Sequence, residues 1–250
     1  MESNFEWCGY HWTDKMGGYR KMNPSAPWRW YSSENIVLNA NNELELYIKY
    51  NPKEIKHDGI TYHPVYEVPT MRTIEDFNFG TFSAEIKVTK GLYLSSSFWL
   101  TGNGNWPPEI DIEEGWSNNN RWFRLGENYP PYLKPSWRTT TNVHYRDEQM
   151  NKTHIGSRNI SICKQPKNPS ENFIKYECEW LPDKITFKAN GKVVRTIKGD
   201  VCRKLIENIS EPDKGYRMSA IFNVWCENPD LHEIAQYTPM IIRNFKYEPL

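Results

Sequence analysis

The residues best suited to chemistry lie in one stretch, Trp106-Pro107-Pro108-Glu109-Ile110-Asp111-Ile112-Glu113-Glu114-Gly115-Trp116. As a β-strand it alternates Glu109, Asp111 and Glu113 on one face with Ile110 and Ile112 on the other. The isoleucines require a hydrophobic core, so the carboxylates go to the opposite face. Like charges at adjacent same-face positions destabilise a sheet and gain nothing from packing. A cleft that needs two carboxylates of different proton affinity has a use for them. No Ser-His-Asp order, phosphate-binding loop or Gly-rich dinucleotide turn offers a competing chemistry.

The far end of the motif has two readings. On a regular strand Glu113 shares the face of Glu109, and Glu114 points into the core. A β-bulge inserts one residue and returns Glu114 to the cleft face. Burying Glu114 unpaired would be costly, whereas a bulged Glu113 is expected to stay near solvent. Glu114 is the favoured third carboxylate, with Glu113 as the alternate.

Short period-two segments surround the motif. Leu44, Leu46, Ile48 and Tyr50 alternate with Glu45, Tyr47 and Lys49, and Phe82, Ala84, Ile86 and Val88 alternate with Ser83, Glu85 and Lys87. Residues 139–146 put Thr140, Asn142, His144 and Arg146 on one face, against Thr141, Val143 and Tyr145 on the other. Asp58-Gly59 marks a hairpin or loop excursion within 52–69, and Asn190-Gly191 a type I′ hairpin. Residues 201–209 are expected to form one short helix, and 218–225 and 241–247 the last strands. Residues 1–33 lack periodicity and read as an irregular, aromatic-rich arm, of which Trp28-Arg29-Trp30 is the part expected to reach a cleft. Many short strands with Asn/Gly/Pro turns, and neither repeat nor linker, indicate an all-β antiparallel sandwich in one domain, 1–250.

Composition narrows the class. Aromatics are 14% of the 250 residues, with 11 Trp and 15 Tyr, while mean hydropathy is −0.79. So many rings in so polar a chain fit either a wide core or a cleft in which sugar C–H faces stack on aromatic faces. Basic and acidic residues balance at 31 each, without like-charge blocks, so neither a nucleic acid nor a membrane is expected as partner. No basic-then-apolar leader opens the chain. Cys8, Cys163, Cys178, Cys202 and Cys226 have no metal-ligand spacing and are expected to be mostly free thiols, one disulfide remaining open.

The motif resembles the catalytic signature of glycoside hydrolase family 16, the laminarinase, lichenase, agarase and carrageenase group. That signature is ExDxE on a regular strand or ExDxxE with a bulge. Met71-Arg72-Thr73, Phe79–Lys87, Ser97-Phe98-Trp99-Leu100, Tyr176–Trp180 with Asn190-Gly191-Lys192, and Ile241–Tyr247 resemble further family segments in family order. The resemblance implies a concanavalin-like β-jelly-roll sandwich of two antiparallel sheets, one concave and carrying the substrate groove. It also implies a retaining endo-β-glycosidase, with Glu109 as nucleophile, Asp111 hydrogen-bonded to it, and Glu114 (or Glu113) as acid/base. Trp99, Trp106, Trp116, His144, Arg72 and Asn223 match cleft positions, and Trp30 and Trp137 are further candidates for substrate contact.

The expected substrate is a β-1,3- or β-1,3/1,4-glucan, or a β-galactan such as agar or carrageenan. Arg29, Arg121, Arg124 and Arg138 lie in expected rim loops, as sulfate ligands or as ordinary solvated arginines. The reaction needs no cofactor. Some relatives hold a structural Ca²⁺, but no dedicated calcium loop is visible. A monomer working outside the cell is expected. A lectin-like module on the same fold would have no use for three aligned carboxylates, and a transglycosylase would differ only in its acceptor.

Overall fold

Hydrophobic alternation and turn residues resolve into two sheets packed face to face. The computed structural model describes residues 4–14, 22–23, 26–57, 59–63, 66–90, 94–102, 106–116, 138–146, 152–155, 163–164, 168–209, 216–226 and 238–250. The larger sheet runs, edge to edge, Asn4–Trp7, Tyr10–Thr13, Tyr66–Thr73, Met218–Cys226, Leu94–Gly102, Glu109–Trp116, Arg138–Arg146 and Lys152–Ile155. The second runs Lys192–Lys198, Lys184–Ala189, Ile174–Trp180, Gly80–Lys87, Met240–Pro249, Leu44–Leu46 and Ile36–Leu38. Antiparallel pairing dominates, and Ala26–Ser32 adds a parallel pair alongside Tyr66–Thr73.

The inward faces meet in one apolar layer. Ile110, Phe98, Leu100, Phe222, Val224 and Val143 come from the first sheet, and Phe82, Ile86, Cys178, Ile242 and Phe245 from the second. Phe98, on a strand beside the motif strand, and Phe222, on the next strand out, stack with ring centroids 4.5 Å apart. Each such ring contributes about 1.5–3 kcal/mol by leaving water. This layer fixes the other face of the first sheet as the outward one.

The Asn190-Gly191 hairpin forms with both residues at positive φ, 48° and 75°, as its turn type requires. The helix spans Asp200–Glu207 and packs on the Arg138–Arg146 strand through its buried Cys202 and Leu205 face. Cys8, Cys178, Cys202 and Cys226 form no disulfide among the described residues; Cys163 lies outside the described side chains. No helix among the described residues is long and apolar enough to cross a membrane.

Two readings of the chain need correction. The arm 1–33 is not irregular, since Asn4–Trp7, Tyr10–Thr13, Met22–Asn23 and Ala26–Ser32 are strands of the larger sheet. Three of them hold two to four residues, too short for periodicity to register, and Ala26–Ser32 lacks a clean polar–apolar alternation; Trp12 is fully buried against Phe222 and Phe245. The alternation from Leu44 to Tyr50 is not one strand either. Leu44–Leu46 belongs to the second sheet, while Lys49–Tyr50 crosses to pair with Tyr66–Thr73 in the first.

Candidate active site

The motif forms the strand Glu109–Trp116, and its register shifts once against each neighbour. Opposite Leu94–Gly102, Asp111 faces Trp99 and Glu113 faces Phe98, which leaves Ile112 as the extra residue. Opposite Arg138–Arg146, Asp111 faces Asn142 and Glu114 faces Thr140. A bulge therefore sits at Ile112–Glu113. Beyond it, Glu114 shares the outward face with Glu109 and Asp111.

Glu113 does not stay near solvent. Its side chain is fully buried on the core side, and neither carboxylate oxygen has a hydrogen-bond partner among the described residues. Burial, then the charge of Glu114, pushes its proton affinity well above the ordinary carboxylate range. The bulge offers the interior two side chains in succession, Ile112 and Glu113, and the sheet cannot turn the second one out.

Gly115 makes room for it. A Cβ there would collide with Glu113 Oε1 and stand 2.5 Å from Val88 Cγ1. Gly115→Ala is expected to cost about 1–3 kcal/mol through overpacking. Urea unfolding would show this as a lowered midpoint at unchanged slope.

On the outward face each carboxylate is held from a different side. Trp106 Nε1 donates to Glu109 Oε2 at 2.7 Å. His144 Nε2 lies 3.0 Å from Asp111 Oδ2 and 3.3 Å from Glu109 Oε1. Thr140 Oγ1 donates to Glu114 Oε2 at 3.2 Å. Removal from bulk water, then the charge of Asp111, raises the proton affinity of Glu109 well above the usual range, and the Trp106 bond opposes that rise. Donor atoms of Glu109, Asp111 and His144 lie within 4.8 Å of one another, an arrangement compatible with a cation as well as with a shared proton.

The floor continues across the sheet. Trp99 faces Ile221, and Ile221 faces Arg72; Ser97 faces Asn223, and Asn223 faces Thr70. Trp99 Nε1 donates to Asn223 Oδ1 at 2.6 Å, which fixes the indole beside Asp111. Arg72 Nη2 donates to Ser219 Oγ at 2.7 Å, and that hydroxyl donates to Asp76 Oδ1 at 2.6 Å. Trp30 is partly buried in the strand Ala26–Ser32, with Lys53 Nζ 6.0 Å from its ring centroid, and pairs with Glu67 rather than with the motif.

The structure thus gathers Glu109, Asp111, Glu114, Trp106, His144, Trp99, Asn223 and Arg72 on one sheet face. Trp116 takes the same parity, opposite Ser95, but its side chain lies outside the described residues, as do Trp137, Arg121 and Arg124 entirely and Arg138 in its side chain. Arg29 is no solvated rim arginine. It is buried in a strand, its Nε donates to the Cys226 carbonyl at 3.1 Å, and its guanidinium lies 4.9 Å from the Trp225 ring centroid. Thr140 and Arg146 were missed as site residues. They share a face with His144 in sequence, but only the cross-strand register brings them to the motif.

No curated protein matches the chain in sequence. Solved structures resemble it in fold. The catalytic domain of an endo-1,3-β-glucanase (laminarinase) from Thermotoga petrophila RKU-1 has a TM-score of 0.61 at 18% identity, over 99% of this chain and 94% of that one. Porphyranase B from Zobellia galactanivorans has a TM-score of 0.62 at 17% identity, over 96% and 86%. A structure reported with endo-acting O-glycanases of the human gut microbiota that initiate mucin breakdown has a TM-score of 0.63 at 20% identity, over 94% and 84%. The sequence profile of "Glycosyl hydrolases family 16" matches residues 25–228, spanning the motif strand and both of its neighbours. On that match the chain belongs to glycosyl hydrolase family 16.

Proposed function

We propose that the chain is a retaining endo-β-glycosidase that cuts a β-linked glucan or galactan. One observation carries the reading: the bulge brings Glu109, Asp111 and Glu114 to a single sheet face turned away from the core, each with its own hydrogen-bonding partner. Glu109 attacks the anomeric carbon as Glu114 gives its proton to the departing glycosidic oxygen. Glu114, now ionised, takes a proton from water, which attacks the same carbon and frees Glu109. Asp111, held by His144, stands between the two glutamates in the motif, and its charge raises the proton affinity of Glu109.

Glu109 attacks only when ionised, so its raised proton affinity sets the acid limb of the activity profile. Trp106, partly exposed, offers a ring for sugar stacking, whereas Trp99 is 9% exposed and holds Asn223 beside the motif. Nucleophile and proton donor are both protein side chains, so turnover needs no metal and a chelator should leave kcat unchanged. On the same reading the enzyme works outside the cell, where wall and released polymers meet it, as a monomer.

The test is product release from laminarin, mixed-linkage glucan, agarose, porphyran, carrageenans and mucin, with the anomer of the first product read by proton NMR. Internal cleavage with retained β configuration supports the reading. A first product of α configuration would make the enzyme inverting, and tight binding without turnover would make the chain a binding module.

A further inference from the structure

We infer that Arg146 is a positioning residue that acts on Glu109 through Trp106. The inference rests on the glycosidase reading for its catalytic consequence, though not for its geometry. Trp106 precedes the motif strand and lies outside the sheet ladder, so strand pairing does not fix its orientation. Its indole nevertheless makes the 2.7 Å bond to Glu109 Oε2.

Arg146 closes the gap. It stands on the neighbouring strand at the same parity as His144, and its Nη2 donates to the Trp106 carbonyl at 2.9 Å. Its backbone N–H donates in turn to the Asn208 side chain at the C-terminal cap of the helix Asp200–Glu207. The Trp106 ring also leans on His144, with centroids 5.6 Å apart at 47°. A relay therefore runs from the helix end through Arg146 and Trp106 to the nucleophile's carboxylate. The guanidinium is suited to this, because it spans the space as a planar, permanently charged donor.

The bond that Trp106 makes favours the ionised form of Glu109, against burial and Asp111. Loosening Trp106 therefore raises the pH at which Glu109 becomes nucleophilic. A loss confined to the reacting geometry falls on kcat rather than on KM.

The experiment compares wild type, Arg146→Met and Arg146→Lys. Glu109 is titrated through the Trp106 indole N–H signal in ¹⁵N–¹H spectra, identified by its loss in Trp106→Phe. Kinetics on whichever polymer the wild type cuts run alongside. In Arg146→Met the indole signal should move to lower frequency and its titration midpoint to higher pH. The ascending limb of kcat/KM should follow, with kcat lower by about 10- to 100-fold and KM little changed. Arg146→Lys, which can still donate to the carbonyl, should recover part of each effect.

An unchanged indole titration in Arg146→Met overturns the relay. A rise in KM alone reassigns Arg146 to direct substrate contact. Parallel loss of thermal midpoint and activity in both variants, with the indole midpoint unmoved, reassigns it to structure alone. A wild-type chain that cuts no polymer removes the glycosidase reading, and the indole titration still decides the relay.

Discussion

Glu114→Gln is expected to lose about 10²–10⁴-fold in kcat on a polysaccharide, the range a positioned general acid contributes, while Glu113→Gln keeps near wild-type turnover. The two residues are neighbours in sequence and lie on opposite sides of one sheet, Glu114 beside Thr140 on the outward face and Glu113 in the core. In the proposed mechanism a sugar alkoxide, a poor leaving group, needs the proton of Glu114. An aryl glycoside with an acidic phenol does not, so the defect of Glu114→Gln should shrink sharply on such a substrate in the bond-breaking step. On the same mechanism Glu109→Gln has no such escape, because the covalent intermediate cannot form. Steady-state rates on both substrate types check the three variants together. If Glu113→Gln were the inactive one, the motif strand would be regular and the bulge absent.

The second large effect concerns stability. Glu113→Met is expected to stabilise the chain, and by more at pH 8 than at pH 4. The buried carboxyl has no partner for either oxygen among the described residues and holds its proton well above the ordinary value of 4.5. Below that value both folded and unfolded chains carry the proton, and only the cost of an unsatisfied neutral group remains, about 1–3 kcal/mol.

As pH rises past it, the unfolded chain releases the proton while the folded chain keeps it, so stability falls with rising pH. Each unit between the two proton affinities removes about 1.4 kcal/mol, and the fall levels off above the folded-state value. Methionine fills similar volume, carries no ionisable group and removes that slope. Urea midpoints of wild type and Glu113→Met at pH 4, 6 and 8 measure the difference directly. A gap that stays constant across the three pH values would show that Glu113 titrates alike in both states.

The period-two patterns around Phe82–Val88 and Thr139–Arg146 were legible, because alternation records which face meets the core and a sandwich has one core. The Asn190-Gly191 turn and the helix near residue 201 were legible for local reasons, the first from backbone φ and the second from its amphipathic pattern. The arm was not. Its strands hold two to seven residues each, and what orders them is the sheet they join.

For the site, the sequence by itself supplied the carboxylates Glu109 and Asp111 and their common face, since Ile110 and Ile112 on the other side admit no other arrangement. It favoured Glu114 over Glu113 for the outward face, on the cost of burying Glu114, but left Glu113 near solvent. Tertiary structure turns Glu113 into the core instead. Pairing with Leu94–Gly102 on one side and Arg138–Arg146 on the other places the bulge at Ile112–Glu113, and Gly115 beside Val88 leaves the space that a buried Glu113 occupies. The cross-strand register likewise brought Thr140 to Glu114, and it set Arg146 within reach of Trp106. Periodicity encodes a face but carries no record of which residue lies opposite, and a slip of one residue moves a side chain from core to cleft.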